Sequence, residues 1–133
     1  MPKLVLPRVQ AMVLCDGVEK SAHEPGVYEL SGVRSAVWAA SFPHLRRRLC
    51  VYLQLSGHPG QAELHIEINR PGNDEVIYSS VSRNVSFRGP MAIIPIPFIL
   101  RNCSFPAPGV YYVQVFDAGK LIGERPLFVE LEA

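Results

Sequence analysis

Glu63, His65 and Glu67 stand at alternate positions of the segment Ala62 to Ile68, with Leu64, Ile66 and Ile68 completing the alternation. On a β-strand this spacing puts the three polar side chains on one face, neighbours about 6.5–7 Å apart. Imidazole and carboxylate ligate zinc and related ions, so two of the three could join a metal if another strand supplied a third ligand. The same alternation is what a solvated outer face requires above a buried inner one. That plainer reading is preferred, and neither a metal nor a cofactor is expected.

Arg46-Arg47-Arg48 is the one basic run. Guanidinium groups in a row could grip phosphate. No aromatic residues interleave with them, and no second run supports them as a nucleic-acid surface would require. The formal net charge of +1 gives no bulk field for polyanions or acidic membranes. The triplet is therefore expected in an exposed loop ending at a sheet edge, where charge discourages edge pairing. No nucleic-acid partner and no membrane partner is expected.

His23, His44 and His58 lie in turn-like contexts far apart in the chain. No Gly-x-Ser-x-Gly, His-Glu-x-x-His or phosphate-cradling glycine loop accompanies them. Cys15, Cys50 and Cys103 are odd in number and form no C-x-x-C pair. They read as buried free thiols of a reducing compartment rather than zinc ligands or a disulfide framework. No catalytic residue is assigned, and the chain is read as non-enzymatic.

The elements around these residues are short and extended. The 133 residues suit one domain spanning the whole chain. The hydrophobic fraction of 48% supplies a core without staples. Pro25-Gly26, Pro59-Gly60, Pro71-Gly72 and Pro108-Gly109 mark turns, since Pro presets one corner and Gly tolerates positive φ at the next. Between them the spacing predicts strands over Val9 to Leu14, Val27 to Ala39 with a bend at Gly32, Leu49 to Leu55 and Ala62 to Ile68. Further strands are predicted over Val76 to Ser80, Val85 to Arg88, Met91 to Leu100, Val110 to Phe116 and Leu121 to Leu131. Pro95 and Pro97 place the seventh of these at a sheet edge. Asp117 to Lys120 joins the last two as a hairpin. The opening Met1 to Arg8 is too short and too interrupted by proline for a secretory signal. No apolar run approaches the roughly 20 residues that span a bilayer. A cytoplasmic protein is expected.

Pro108-Gly109-Val110-Tyr111-Tyr112-Val113-Gln114-Val115 resembles the entry to strand F of immunoglobulin-like domains, with Tyr111 at the place of their corner tyrosine. Where antibody domains carry a cysteine two residues later, this chain has Val113, and Trp38 precedes Cys50 instead of following a first cysteine. The expected fold is all-β, an immunoglobulin-like two-sheet antiparallel sandwich without the antibody disulfide. Val13-Leu14-Cys15-Asp16, Leu30-Ser31-Gly32-Val33, Phe42-Pro43 and Gly119 to Leu127 extend the likeness to most of the chain. Together they resemble a family of small uncharacterised bacterial proteins, a domain of unknown function. The resemblance implies a fold and a bacterial intracellular setting, and no activity.

If Tyr111 is the buried corner, then Tyr112 and Phe116 face outward on the same strand. In an immunoglobulin-like sheet this strand would lie between the third strand and the last. Tyr52 and Gln54 would then flank it on one side, Ile122 and Phe128 on the other. Such an aromatic face marks an interaction site, unless the expected loop Asn102 to Pro108 or the N-terminal segment covers it. The binding residues expected are Tyr52, Tyr112, Phe116 and Phe128, and the expected partner is another protein or a second copy. The alternatives are a small-ligand or carbohydrate-binding sandwich and a metal-dependent enzyme built on His65 with Glu63 or Glu67.

Overall fold

The computed structural model describes residues 6–72, 74–89 and 92–133. Met91 and the opening Met1 to Val5, both part of sequence expectations, lie outside the described residues. Among the described residues there is no helix, hence none long and apolar enough to cross a membrane. The strands are β1 (Arg8–Cys15), β2 (Gly17–Lys20), β3 (Tyr28–Ser31), β4 (Ala36–Ala39), β5 (His44–Ser56) and β6 (Gly60–Arg70). They continue with β7 (Glu75–Ser79), β8 (Arg83–Phe87), β9 (Ile94–Phe105), β10 (Gly109–Asp117) and β11 (Lys120–Leu131).

Two sheets form the sandwich. The first runs β1-β5-β9, and the second runs β4-β11-β10-β6-β7, with β8 also pairing on β6. Neighbouring strands are antiparallel except β4, which runs parallel to β11. With β1, β5 and β9 as strands A, B and E, and β6, β10 and β11 as C, F and G, this is the immunoglobulin-like strand order. The core lies between the sheets. β5 sends in Leu49, Val51, Leu53 and Leu55, all 0% exposed. They meet Leu64, Ile66 and Ile68 of β6 and Val113 and Val115 of β10. Each such aliphatic side chain is worth about 1.5–3 kcal/mol when fully buried.

Local sequence explains several details. The four Pro-Gly pairs place Gly26, Gly60, Gly72 and Gly109 at φ of 77°, 140°, 99° and 146°, which L-residues rarely adopt. Pro95 and Pro97 lie in β9, an edge strand paired among the described residues only with β5. The Tyr111 hydroxyl donates to the Ala107 carbonyl at 2.6 Å, and its ring meets Phe105 edge-on at 5.1 Å. This is the tyrosine corner that the strand F likeness implied. Phe42–Pro43 is a cis peptide bond.

Three expectations are corrected. Arg46 to Arg48 form no loop, because β5 starts at His44 and carries the triplet within its ladder. Asn102 to Phe105 likewise belong to β9 instead of a loop. Asn102, at φ 59°, interrupts the alternation there, so that Leu100, Cys103 and Phe105 are all buried. Finally, the neighbour of β10 opposite β11 is β6, not the Leu49 to Leu55 strand. Leu49 to Leu55 is apolar on both faces, and it takes the centre of the sheet that the chain itself covers. Ala62 to Ile68 has a polar face to spare and sits beside β10.

Candidate functional site

The two sheets treat their outer faces differently. On the first sheet Cys50 and Tyr52 point away from the core, yet they are 0% and 8% exposed. A ribbon made of β2 and β3 lies over them, and the Tyr28 ring packs on Tyr52 at 5.7 Å. Gln54 Nε2 donates to the Tyr52 hydroxyl at 3.0 Å. The ribbon is pinned at its root by Asp16. Arg34 donates to both Asp16 oxygens at 2.9 Å, and Arg46 Nη2 donates to Oδ1 at 2.6 Å. The Arg34 hydrogen bond is the main cause that holds the Asp16 carboxyl below the usual carboxylate range. Asp16 N donates to the Ser31 carbonyl at 2.9 Å. A Cβ on Gly32 would stand 2.1 Å from Asp16 Oδ2, so only glycine lets the loop close on the carboxylate. Two of the segments quoted for the family resemblance, around Asp16 and around Gly32, therefore meet each other. A third closes the seam between the sheets: Arg125 Nη1 donates to the Met12 carbonyl at 3.0 Å, and a Cβ on Gly123 would stand 2.7 Å from Val9.

The outer face of the second sheet carries no such cover among the described residues. Its middle is polar. Tyr112 lies opposite Asn69 and Pro126, Gln114 opposite Glu67 and Glu124, and Phe116 opposite His65. Gln114 donates to Glu124 at 2.9 Å and accepts from Asn69. Phe116 stacks on His65 with ring centroids 4.9 Å apart. Tyr112 and Phe116 are thus half-buried, and a polar row separates them. Tyr52 is absent from this face because it belongs to the first sheet. Ile122 turns toward the core after the bulge between Val115 and Phe116. Of the four binding residues expected, Phe128 is the one left well exposed, at 41%.

Apolar surface gathers at one end of this face instead. Phe128 lies directly opposite Val110 on β10 and Ala36 on β4. Trp38 follows on β4, opposite Glu130. Trp38, Val110, Phe128 and Leu131 are all exposed and line an open depression of about 480 Å³ with Pro108 and Glu130. The signal for Trp38 was present in Ala36-Val37-Trp38-Ala39, where Val37 and Ala39 are buried and Trp38 alternates outward.

The groups capable of chemistry are otherwise engaged. His65 Nε2 is 2.9 Å from Glu67 Oε2. The backbone N–H of Glu63 donates to the buried Asp117 at 3.0 Å. Among the described residues no three His, Cys, Asp or Glu stand together as metal ligands. The three cysteines are free and buried. Burial pushes the Cys103 thiol up to about 12 and is also the main cause raising Cys15, which keeps thiolate scarce.

A family model described as a family of unknown function matches residues 10–130. No curated protein matches the chain. Among solved structures it is similar to the alkylpurine DNA glycosylase AlkC of Pseudomonas fluorescens, solved bound to DNA containing an abasic site analogue. That likeness has a TM-score of 0.56 at 9% identity and covers 93% of this chain and 30% of the glycosylase, so this chain spans less than a third of that protein. An immunoglobulin-like protein from Pseudomonas aeruginosa is similar at 18% identity, over 94% of this chain and 97% of that one, with a TM-score of 0.46. At these identities the likeness concerns the fold.

Proposed function

This chain belongs to DUF6941, a family of unknown function, and from that premise we propose that it is a non-enzymatic protein-interaction module. Its contact surface in this reading is the end of the second sheet formed by β4, β11 and β10. One observation carries it: Trp38, Val110, Phe128 and Leu131 lie exposed around one depression. Aromatic and aliphatic side chains gathered in this way supply the anchor that protein interfaces bury. Tyr112, two residues beyond Val110 on β10, forms the polar-flanked rim of that surface. Three free, buried thiols suit a bacterial cytoplasm as the place of work.

The test is a photo-crosslinking amino acid placed at position 128 in the native host, with position 120 at the far end of β11 as control. The expected result is a discrete adduct from position 128 that disappears when Trp38→Arg is added. No adduct above the control, or one unaffected by Trp38→Arg, overturns the reading. Sedimentation of the purified chain identifies a second copy as the partner if its mass rises with concentration.

A second reading is favoured by the Trp38 ring beside a depression larger than the roughly 300 Å³ at which small-molecule sites begin. A sugar ring could stack there. Tryptophan fluorescence titrated with a panel of oligosaccharides reports on it directly, because Trp38 is the single tryptophan.

A further inference from the structure

We infer that the first sheet carries a binding site for the phosphate backbone of duplex nucleic acid, built from Arg48 and Arg101 with Arg34 and Arg46 beside them. Arg48 on β5 lies directly opposite Arg101 on β9. Both are exposed. Directly opposed residues of an antiparallel pair point to the same face with Cβ atoms about 4.5–5.5 Å apart, and like charges so placed oppose folding. Neither arginine has an ion-pair partner among the described residues. Asp16 is shared by Arg34 and Arg46, the second of which stands two residues before Arg48 on β5. Two guanidinium groups thus share one carboxylate, and those of Arg48 and Arg101 have none among the described residues, on a chain whose net charge is only +1.

The lack of a second basic run counted against the triplet as a phosphate site, and the fold removes that objection. Arg101 and Arg34 come from distant parts of the chain and stand beside Arg46 and Arg48. A planar guanidinium matches phosphate in a two-bond fork. Arg46, Arg48 and Arg101 are spread along the β5–β9 ladder instead of converging on one point, which suits a row of phosphates better than a single anion. Single strands need exposed rings on which bases stack. The rings on this face, Tyr28 and Tyr52, pack on each other, and Tyr52 is buried. The duplex backbone is therefore the occupant. This inference is independent of the interaction surface on the second sheet.

The experiment is fluorescence anisotropy of a labelled mixed-sequence DNA duplex of about 20 base pairs, titrated with the full chain at several salt concentrations. The expected dissociation constant falls in the range of about 1–100 μM at low salt, with a log–log salt slope of about −2 to −4. Arg48→Gln with Arg101→Gln should weaken binding about tenfold or more and flatten the slope by about two. Lys120→Gln, at the turn between β10 and β11, should leave it unchanged. The double variant should melt no lower than the parent, because it relieves a repulsion, and the salt slope of the unaltered protein tests the contact without any substitution. Four results overturn the inference: no anisotropy change, equal binding by the double variant, tighter binding to the matching single strand, or stronger retention on phosphatidylserine vesicles than on duplex at equal salt.

Discussion

The two outer faces of this sandwich start from similar material and end differently. Each sends apolar side chains away from the core: Cys50 and Tyr52 on the first sheet, Trp38, Val110 and Phe128 on the second. On the first sheet the chain spends β2, β3 and the Asp16 clasp on covering them. On the second sheet the described residues leave them open. The fold therefore has the means to bury an outward ring, and uses it on one side only. An exposed tryptophan on one sheet and a covered tyrosine on the other is the contrast on which the proposed interaction surface rests.

That contrast can be broken most severely at Tyr52. Tyr52→Ala should cost about 3–4 kcal/mol in urea unfolding, the usual range for deleting a buried aromatic ring. A loss under about 1 kcal/mol would mean that the ribbon merely rests on the sheet and that both faces are alike.

Asp16→Asn tests the clasp. It should cost about 1–2 kcal/mol near neutral pH, below the full value of charged hydrogen bonds because the Asp16 side chain is 40% exposed. The sign with pH follows from the lowered carboxyl. The ionised form is favoured by folding, so its contribution is complete above the ordinary value near 3.9 and is lost as pH falls below it toward the folded value. The parent should therefore lose more stability than Asp16→Asn over that acid range. Parallel losses, measured by unfolding at stepped pH, would assign the clasp to packing alone.

The smallest effect is expected on the bare face. Trp38→Ser and Phe128→Ser should each shift unfolding by no more than about 0.5 kcal/mol. A larger loss would show that these side chains support the monomer.

Much of this architecture was legible in local sequence. Alternation located β6 and its polar face, the Pro-Gly pairs located turns, and Tyr111 announced the strand F corner. Sheet partners were not legible. The apolar outer side of Leu49 to Leu55 marks a strand that will be covered but does not say which strands flank it, because pairing is decided by contacts far away in the chain. That error put Tyr52 on the wrong sheet. The Arg48–Arg101 pair was hidden for the same reason, since 52 residues separate its members. Trp38 was within reach: one step of alternation from Val37 marks it as outward.

The parallel pairing of β4 with β11 also shapes how the molecule must be made. β4 is complete by Ala39, yet its one ladder partner among the described residues begins at Phe128. Throughout synthesis of the intervening residues Val37 has no sheet to join, and the open flank of β10 waits with it. Closing so long a loop adds little to equilibrium stability but delays assembly. A nascent chain of this protein must therefore hold β4 unpaired until β11 has emerged, and in that interval any protein that shields exposed strands would find its substrate.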